Sequence, residues 1–200
     1  MMKLYITPGS PYARMARIVV LEKGLGNRVE IILAKTRASD SPYYAINPSG
    51  RVPYLVREDG VGMEESALIC SYLDHLDGKP RFDLPDDGQS LDARRFEALA
   101  RSLLDGLAVW SREILRPGNE QSPGVIRHET ERARRMVDVW EREIDHPIMR
   151  GALNTVQLTL ACALGLDARI PAFRWRDGHP KLSGWFDRIA AMPSFAATAP

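Results

Sequence analysis

Two strand-like runs, Lys3–Thr7 and Arg28–Leu33, are separated by a helical stretch from Pro11 to about Gly24. A hairpin turn cannot fill that separation. A helix can, by carrying the chain back over the sheet in a βαβ unit, so the two strands are expected to lie parallel. The helix places Met15, Ile18, Val19 and Glu22 near one another, with Gly24 as its stop. Asn47-Pro48-Ser49-Gly50 then marks a turn, and Tyr54–Arg57 and about Val61–Met63 flank Glu58-Asp59-Gly60 as a hairpin. Glu65–Leu76 reads as a helix with Ile69, Tyr72, Leu73 and Leu76 on one face. The order is strand-helix-strand, an irregular segment, then strand-strand-helix.

From Asp77 to Gly88 the periodicity stops, and Gly78, Pro80, Asp83, Pro85, Asp86, Asp87 and Gly88 form a polar connector. This divides the chain into residues 1–78, a linker at 79–88 and residues 89–200. No strand pattern follows. Leu91–Leu115 carries Phe96, Leu99, Leu103, Leu107, Trp110 and Ile114 at helical spacing and ends before Pro117-Gly118. Pro123–Asp145 turns Ala133, Met136, Val137, Trp140 and Ile144 inward, with Glu131–Arg135 and Asp138–Arg142 expected as ion pairs on a solvated face. Asn154–Gly165 is apolar nearly all round, which predicts the central helix of a bundle, and Lys181–Ala191, with Leu182, Trp185, Phe186 and Ile189, closes the chain. An α/β domain is thus followed by an all-α helical bundle.

Composition excludes several functions. With 27 basic and 26 acidic residues the net charge is +1, which gives no footprint for nucleic acid or an anionic membrane. The apolar stretch Leu158–Leu166 is far short of the roughly 20 residues needed to span a bilayer. The N-terminus holds one lysine and then a strand pattern ending in Pro-Gly, which is not a signal peptide. Cys70 and Cys162 lie far apart in helical apolar patterns and read as two buried thiols of a cytoplasmic protein. His75, His128, His146 and His179 show no ligand spacing, so no metal site is expected.

Three short stretches carry chemistry. Ser10-Pro11 starts a helix without further explanation, since Ser is a favoured cap and Pro a favoured first residue. The start of a helix behind a parallel strand is also where α/β folds bind anions. A serine can accept from a helix amide while donating its proton outward. A thiolate suits that position. A thiol of pKa about 8.5 is only about 3% ionised at pH 7, and lowering it by about two units, or about 2.7 kcal/mol, makes most of it thiolate. One charge-assisted hydrogen bond of about 1.5–3 kcal/mol plus a dipole contribution of about 0.3–1 kcal/mol is enough. No G-x-S-x-G elbow surrounds Ser10, which argues against a nucleophilic serine. In Gly50-Arg51-Val52-Pro53-Tyr54 a proline opens a strand; the sequence leaves its isomer open, and a cis bond would turn the preceding backbone toward a ligand. In Glu64-Glu65-Ser66, Ser66 is a plain N-cap or, with Glu65, a holder for an amino acid: the acid takes the ammonium, and hydroxyl and amides take the carboxylate.

A first strand followed by Ser-Pro-Tyr, then Asn-Pro-x-Gly-Arg-Val-Pro, then Glu-Ser opening a helix resembles the glutathione S-transferase family, and the resemblance covers essentially the whole chain. It implies a thioredoxin-like first domain of βαβαββα order and a helical second domain. The Ser-Pro-Tyr start is similar to bacterial-type, serine-type members; omega-like classes carry cysteine where Ser10 stands. By this resemblance Ser10 activates the thiol of glutathione, the co-substrate. Val52, before a cis Pro53, pairs with the cysteinyl part, Glu65 and Ser66 hold the γ-glutamyl end, and Arg51 reaches the glycyl carboxylate. A small electrophile would lie between the domains near Tyr12, Arg14, Trp110 and Arg112, although an aromatic at helical spacing is more often core. The implied protein is a cytoplasmic, homodimeric detoxification enzyme. The alternatives are a non-catalytic ligand carrier or protein-interaction module, or a glutathione-dependent peroxidase. One departure is visible: where the family has Ser/Thr-x-x-Asp at the buried helix of the second domain, this chain has Asn154-Thr155-Val156-Gln157, an uncharged cap in which Gln157 is expected to reach back.

Overall fold

The computed structural model describes residues 1–84 and 90–199, Ser90 by its backbone only; the 85–88 part of the expected linker lies outside the described residues. Met1–Phe82 together with the residues from Ala197 onward forms one compact unit, and Asp83–Ala196 forms a second.

The first unit contains β1 (Met2–Ile6), α1 (Pro11–Glu22), β2 (Val29–Leu33), β3 (Tyr54–Val56), β4 (Gly62–Glu64) and α2 (Ser66–His75). Its sheet has the order β2-β1-β3-β4. The expected parallel pair is present, Leu4 opposite Ile31, and β3 and β4 add antiparallel, Leu4 opposite Leu55 and Leu55 opposite Met63. This is the thioredoxin-like arrangement. Met2, Leu4 and Leu55 are fully buried, and so are Met15, Ile18 and Val19 of α1 and Ile69 and Leu73 of α2. Between β2 and β3 the expected second helix shrinks to a single 3-10 turn, Pro42–Ala45. Pro48 accounts for the limit, because the residue before a proline is pushed out of the helical region.

The far ends of α1 and α2 are tied by charge. Gly24 takes φ +63° to stop α1, and beside it Lys23 Nζ reaches Asp77 at 2.9 Å and Asp74 at 3.3 Å with its side chain only 2% exposed. Burial alone would push the Lys23 ammonium down, but Asp77 and Asp74 together hold it above its ordinary value. The Lys23 bond and the Lys79 amide hold Asp77 below its own. Buried Asp74 also accepts from the amides of Arg81 and Phe82 at 2.9–3.0 Å.

The second unit contains α3 (Ser90–Ile114), α4 (Pro123–Glu143), α5 (Thr155–Leu164), α6 (Pro180–Ala190) and α7 (Pro193–Ala196). As expected, α5 is the central helix: every residue from Val156 to Leu164 is buried, and α3 and α6 pack on it. Phe96 of α3 meets Trp140 of α4 at 5.8 Å. Three expectations change. The short α7 follows the helix expected to close the chain. On α4, Asp138 engages His179 at 2.9 Å and Arg134 at 3.9 Å rather than Arg142, because the start of α6 docks there and Glu141 caps it through the amides of Lys181 and Leu182. At α5, Asn154 caps as expected, its oxygen accepting from Gln157 N at 3.1 Å. Gln157, however, donates its side-chain amide to the carbonyls of Ile148 and Ala152, tying down the loop before the helix instead of completing a reciprocal box. No helix among the described residues is long and apolar enough to cross a membrane.

Candidate functional site

The register of the sheet decides what can meet. β1 runs out at Ile6, β3 begins at Tyr54 in the opposite sense, and β4 ends at Glu64, with Tyr5, Tyr54 and Glu64 side by side in one row. The segments leaving that row are therefore the loop to Ser10, the entry through Val52-Pro53, and Glu65-Ser66. Three stretches that are not adjacent in sequence emerge at one end of one sheet, and both helices of the unit start there. The candidate site is this end.

Ser10 caps α1 from an extended conformation, φ −82° and ψ 117°, with Pro11 as the first helical residue. Its Oγ accepts from Ala13 N at 3.2 Å, and among the described residues the hydroxyl proton has no acceptor. The cap thus uses a lone pair and leaves the donor at the positive end of the helix.

The loop to Val52 is held by its own side chains. Asn47 Oδ1 accepts from Ser49 N at 3.1 Å, and Ser49 Oγ accepts from Arg51 N at 3.2 Å and donates to Glu64 Oε2 at 2.5 Å. Gly50 takes φ +66°, and a Cβ there would come within 2.6 Å of the Tyr44 ring, so both backbone and space call for glycine. The Arg51 carbonyl accepts from Tyr43 Oη at 2.5 Å and from Asn47 Nδ2 at 3.0 Å. The Val52–Pro53 bond is cis. Pro53 is buried, Val52 half-buried and Arg51 exposed. Tyr43 is 3% exposed, its ring 5.5 Å from that of Tyr5, and burial pushes its phenol up, so it stays a neutral donor. Tyr43 and Asn47 escaped the sequence reading as parts of the site. Asn-Pro-Ser-Gly reads as a turn and as part of the family pattern without giving the Asn47 side chain a role, and the adjacent tyrosines have no periodicity to place them.

At α2 the capping expectation is corrected. Glu65, not Ser66, is the N-cap, and Ser66 is the first helical residue. Glu65 Oε2 accepts from Ala67 N at 2.8 Å and Leu68 N at 3.1 Å, and Ser66 Oγ donates to Oε1 at 3.3 Å. Two amides expected to face a ligand carboxylate are therefore taken by the protein's own acid. Glu65 sits at φ +78°, the one non-glycine with positive φ among the described residues. Such a conformation costs about 1–3 kcal/mol and persists where its surroundings hold it.

The remaining candidates separate. Tyr12 is half-buried on the first turn of α1. Arg14 is 6% exposed, its Nε 3.4 Å from Thr198 Oγ1, and Arg17 donates to the carbonyls of Ala197 and Thr198 at 3.5 Å. Trp110 is 2% exposed and meets Phe173 edge-on at 6.1 Å, which is the packing role expected of an aromatic at helical spacing. Arg112 is exposed on the last turn of α3. Cys70 and Cys162 are both buried, as expected.

Residues 4–81 match the family described as glutathione S-transferase, N-terminal domain. The GST-like protein YibF of Escherichia coli (strain K12), which is itself uncharacterized, is 32% identical over 201 residues, covering 100% of this chain and 98% of YibF. A glutathione transferase family member from Pseudomonas fluorescens Pf-5, solved with bound glutathione, superposes with a TM-score of 0.86 at 30% identity, covering 100% and 99% of the two chains. A glutathione S-transferase from Methylobacillus flagellatus KT, also solved with glutathione bound, gives a TM-score of 0.87 at 28% identity with full coverage of both.

Proposed function

Because the chain belongs to the glutathione S-transferase family, we propose that it joins the thiolate of glutathione to a small hydrophobic electrophile, with Ser10 activating the sulfur. The observation that carries this reading is the start of α1: Ser10 keeps a hydroxyl proton at the end of the sheet from which Val52 and Glu65 also emerge. The glutathione bound in the relatives from Pseudomonas fluorescens and Methylobacillus flagellatus supports the choice of ligand.

The bound thiol loses its proton to solvent. The Ser10 hydroxyl donates to the resulting thiolate, and the α1 dipole adds to that stabilisation. The sulfur lone pair then attacks the electrophilic carbon, a C–S bond forms, and the leaving group departs with the electrons of the bond that breaks. Ser10 keeps its own proton throughout. Val52 offers its backbone to the cysteinyl part, Glu65 and Ser66 hold the γ-glutamyl end, with the Glu65 carboxylate taking the ammonium, and Arg51 takes the glycyl carboxylate. Tyr12, Arg14 and Arg112 are the candidates for contact with the second substrate. The reading includes a glutathione-binding domain at 1–78, a helical domain at 89–200, a cytoplasmic homodimer and a detoxifying role. A serine at position 10 disfavours mixed-disulfide chemistry, which needs a protein thiolate.

The test is a spectroscopic thiol pKa for bound glutathione, alongside turnover of a generic aryl halide, in the wild type and Ser10→Ala. The pKa is expected to rise in the variant toward that of the free thiol, with turnover falling. An unchanged thiol pKa would remove Ser10 from the role, and a wild type that binds no glutathione would remove the whole reading.

A further inference from the structure

We infer that Tyr43 and Asn47 are positioning residues that aim the Val52 amide at the bound tripeptide, an inference that rests on the function proposed above. The peptide group joining Arg51 to Val52 is planar. The Arg51 carbonyl and the Val52 N–H are opposite ends of one rigid unit, so whatever fixes the direction of the oxygen fixes that of the hydrogen. Two donors converge on that oxygen: Tyr43 Oη at 2.5 Å and Asn47 Nδ2 at 3.0 Å. Both are themselves fixed. Tyr43 is wedged against Tyr5 and 3% exposed, and Asn47 is 2% exposed with its oxygen occupied by Ser49 N. Asn47 Nδ2 also lies 3.4 Å from Tyr43 Oη, so the two donors brace each other.

The other end of the unit is left over. Among the described residues the Val52 amide donates to no acceptor, although β3 begins only two residues later and Val52 is half-buried. A half-buried backbone N–H without an intramolecular partner needs one from outside the fold. The clamp on the carbonyl points that N–H away from the Tyr43 side, and a peptide ligand at this end of the sheet supplies the missing acceptor. Tyr43 and Asn47 thus act on glutathione through a peptide group they hold, not by touching it.

Tyr43→Phe tests this, since it keeps the ring on Tyr5 and removes only the hydroxyl. Two measurements are needed: 15N relaxation of the Val52 amide without ligand, and the glutathione dissociation constant by calorimetry. In the variant the Val52 order parameter is expected to fall from about 0.85 to below about 0.6 while the amides of β1 hold theirs. The dissociation constant is expected to rise about five- to tenfold, the loss of one buried neutral hydrogen bond. The thiol pKa of bound glutathione should stay where it is, which separates this effect from that of Ser10. A Val52 amide as ordered as in the wild type, or an unchanged dissociation constant, overturns the inference. Should the wild type bind no glutathione, the proposed function falls and relaxation alone decides the clamp: a loosened amide sustains it and an ordered one rejects it.

Discussion

At the start of α1 a neutral hydroxyl caps one amide; at the start of α2, at the same end of the sheet, a carboxylate caps two. Ser10 does so from a relaxed extended conformation, Glu65 from φ +78°. The first leaves the positive helix terminus open to an anion from outside and keeps a proton to offer it. The second cancels its own dipole with a built-in charge, so α2 presents an acid to the solvent side rather than a row of free amides. Two helix starts side by side therefore favour opposite ends of a zwitterionic peptide: sulfur anion at α1, ammonium at α2.

The largest break in that contrast is expected at Ser10. Ser10→Ala should lower kcat/KM for conjugation by roughly 10- to 100-fold, the value of a charge-assisted hydrogen bond, while costing about 1 kcal/mol of stability. Ser10→Asp separates the two roles, because aspartate caps as well as serine but faces the thiolate with a negative charge. Melting like the wild type together with activity at or below that of Ser10→Ala is the expected pattern; an active Ser10→Asp would mean that the hydroxyl donor is dispensable. Next comes Glu65→Gln, which keeps a capping oxygen and removes the charge. Glutathione affinity should drop about tenfold by calorimetry, with a loss of about 0.3–1 kcal/mol in denaturant unfolding.

Asn154→Ala serves as a control at a helix start of the second unit. Its cap bond and its bond to the Ile148 carbonyl are both lost, so unfolding should cost about 1–2 kcal/mol with kcat/KM unchanged. An unaltered melting temperature would reject the capping role. The smallest effect is expected at Asp77, half-exposed at the opposite ends of α1 and α2. Its carboxyl lies below its ordinary value, so its contribution is present above the unfolded pKa and fades as pH falls through the folded one. Lys23 lies above its own ordinary value, so its share is present below the unfolded lysine pKa and fades as pH rises through the folded one. The Tm difference between wild type and Asp77→Asn should be widest at neutral pH and close at both extremes; a pH-independent difference would contradict the pairing.

Local chemistry made much of this legible beforehand. The crossover pair, the hairpin and the Ser10-Pro11 start each follow from a few adjacent residues, and so does the apolar helix at 155–164. Failures came where the deciding contact is distant or the choice is one residue wide. Ser66 is as good a capping residue as Glu65, and only the backbone turn at Glu65 decides between them. Asp138 has Arg142 at helical spacing, yet His179, 41 residues away, takes the bond. Tyr43 and Tyr44 look alike in sequence; one is buried under the site and holds Arg51, and the other bonds Thr36.

The grip of Ala197 and Thr198 on Arg14 and Arg17 has a consequence for biosynthesis. The thioredoxin-like unit is discontinuous in the chain: α1 leaves the ribosome early, but its closing partners are translated more than 170 residues later. Throughout that interval Arg14, buried in the finished protein, lacks the Thr198 contact. A fragment cut after Phe82 would be held in the same unfinished state.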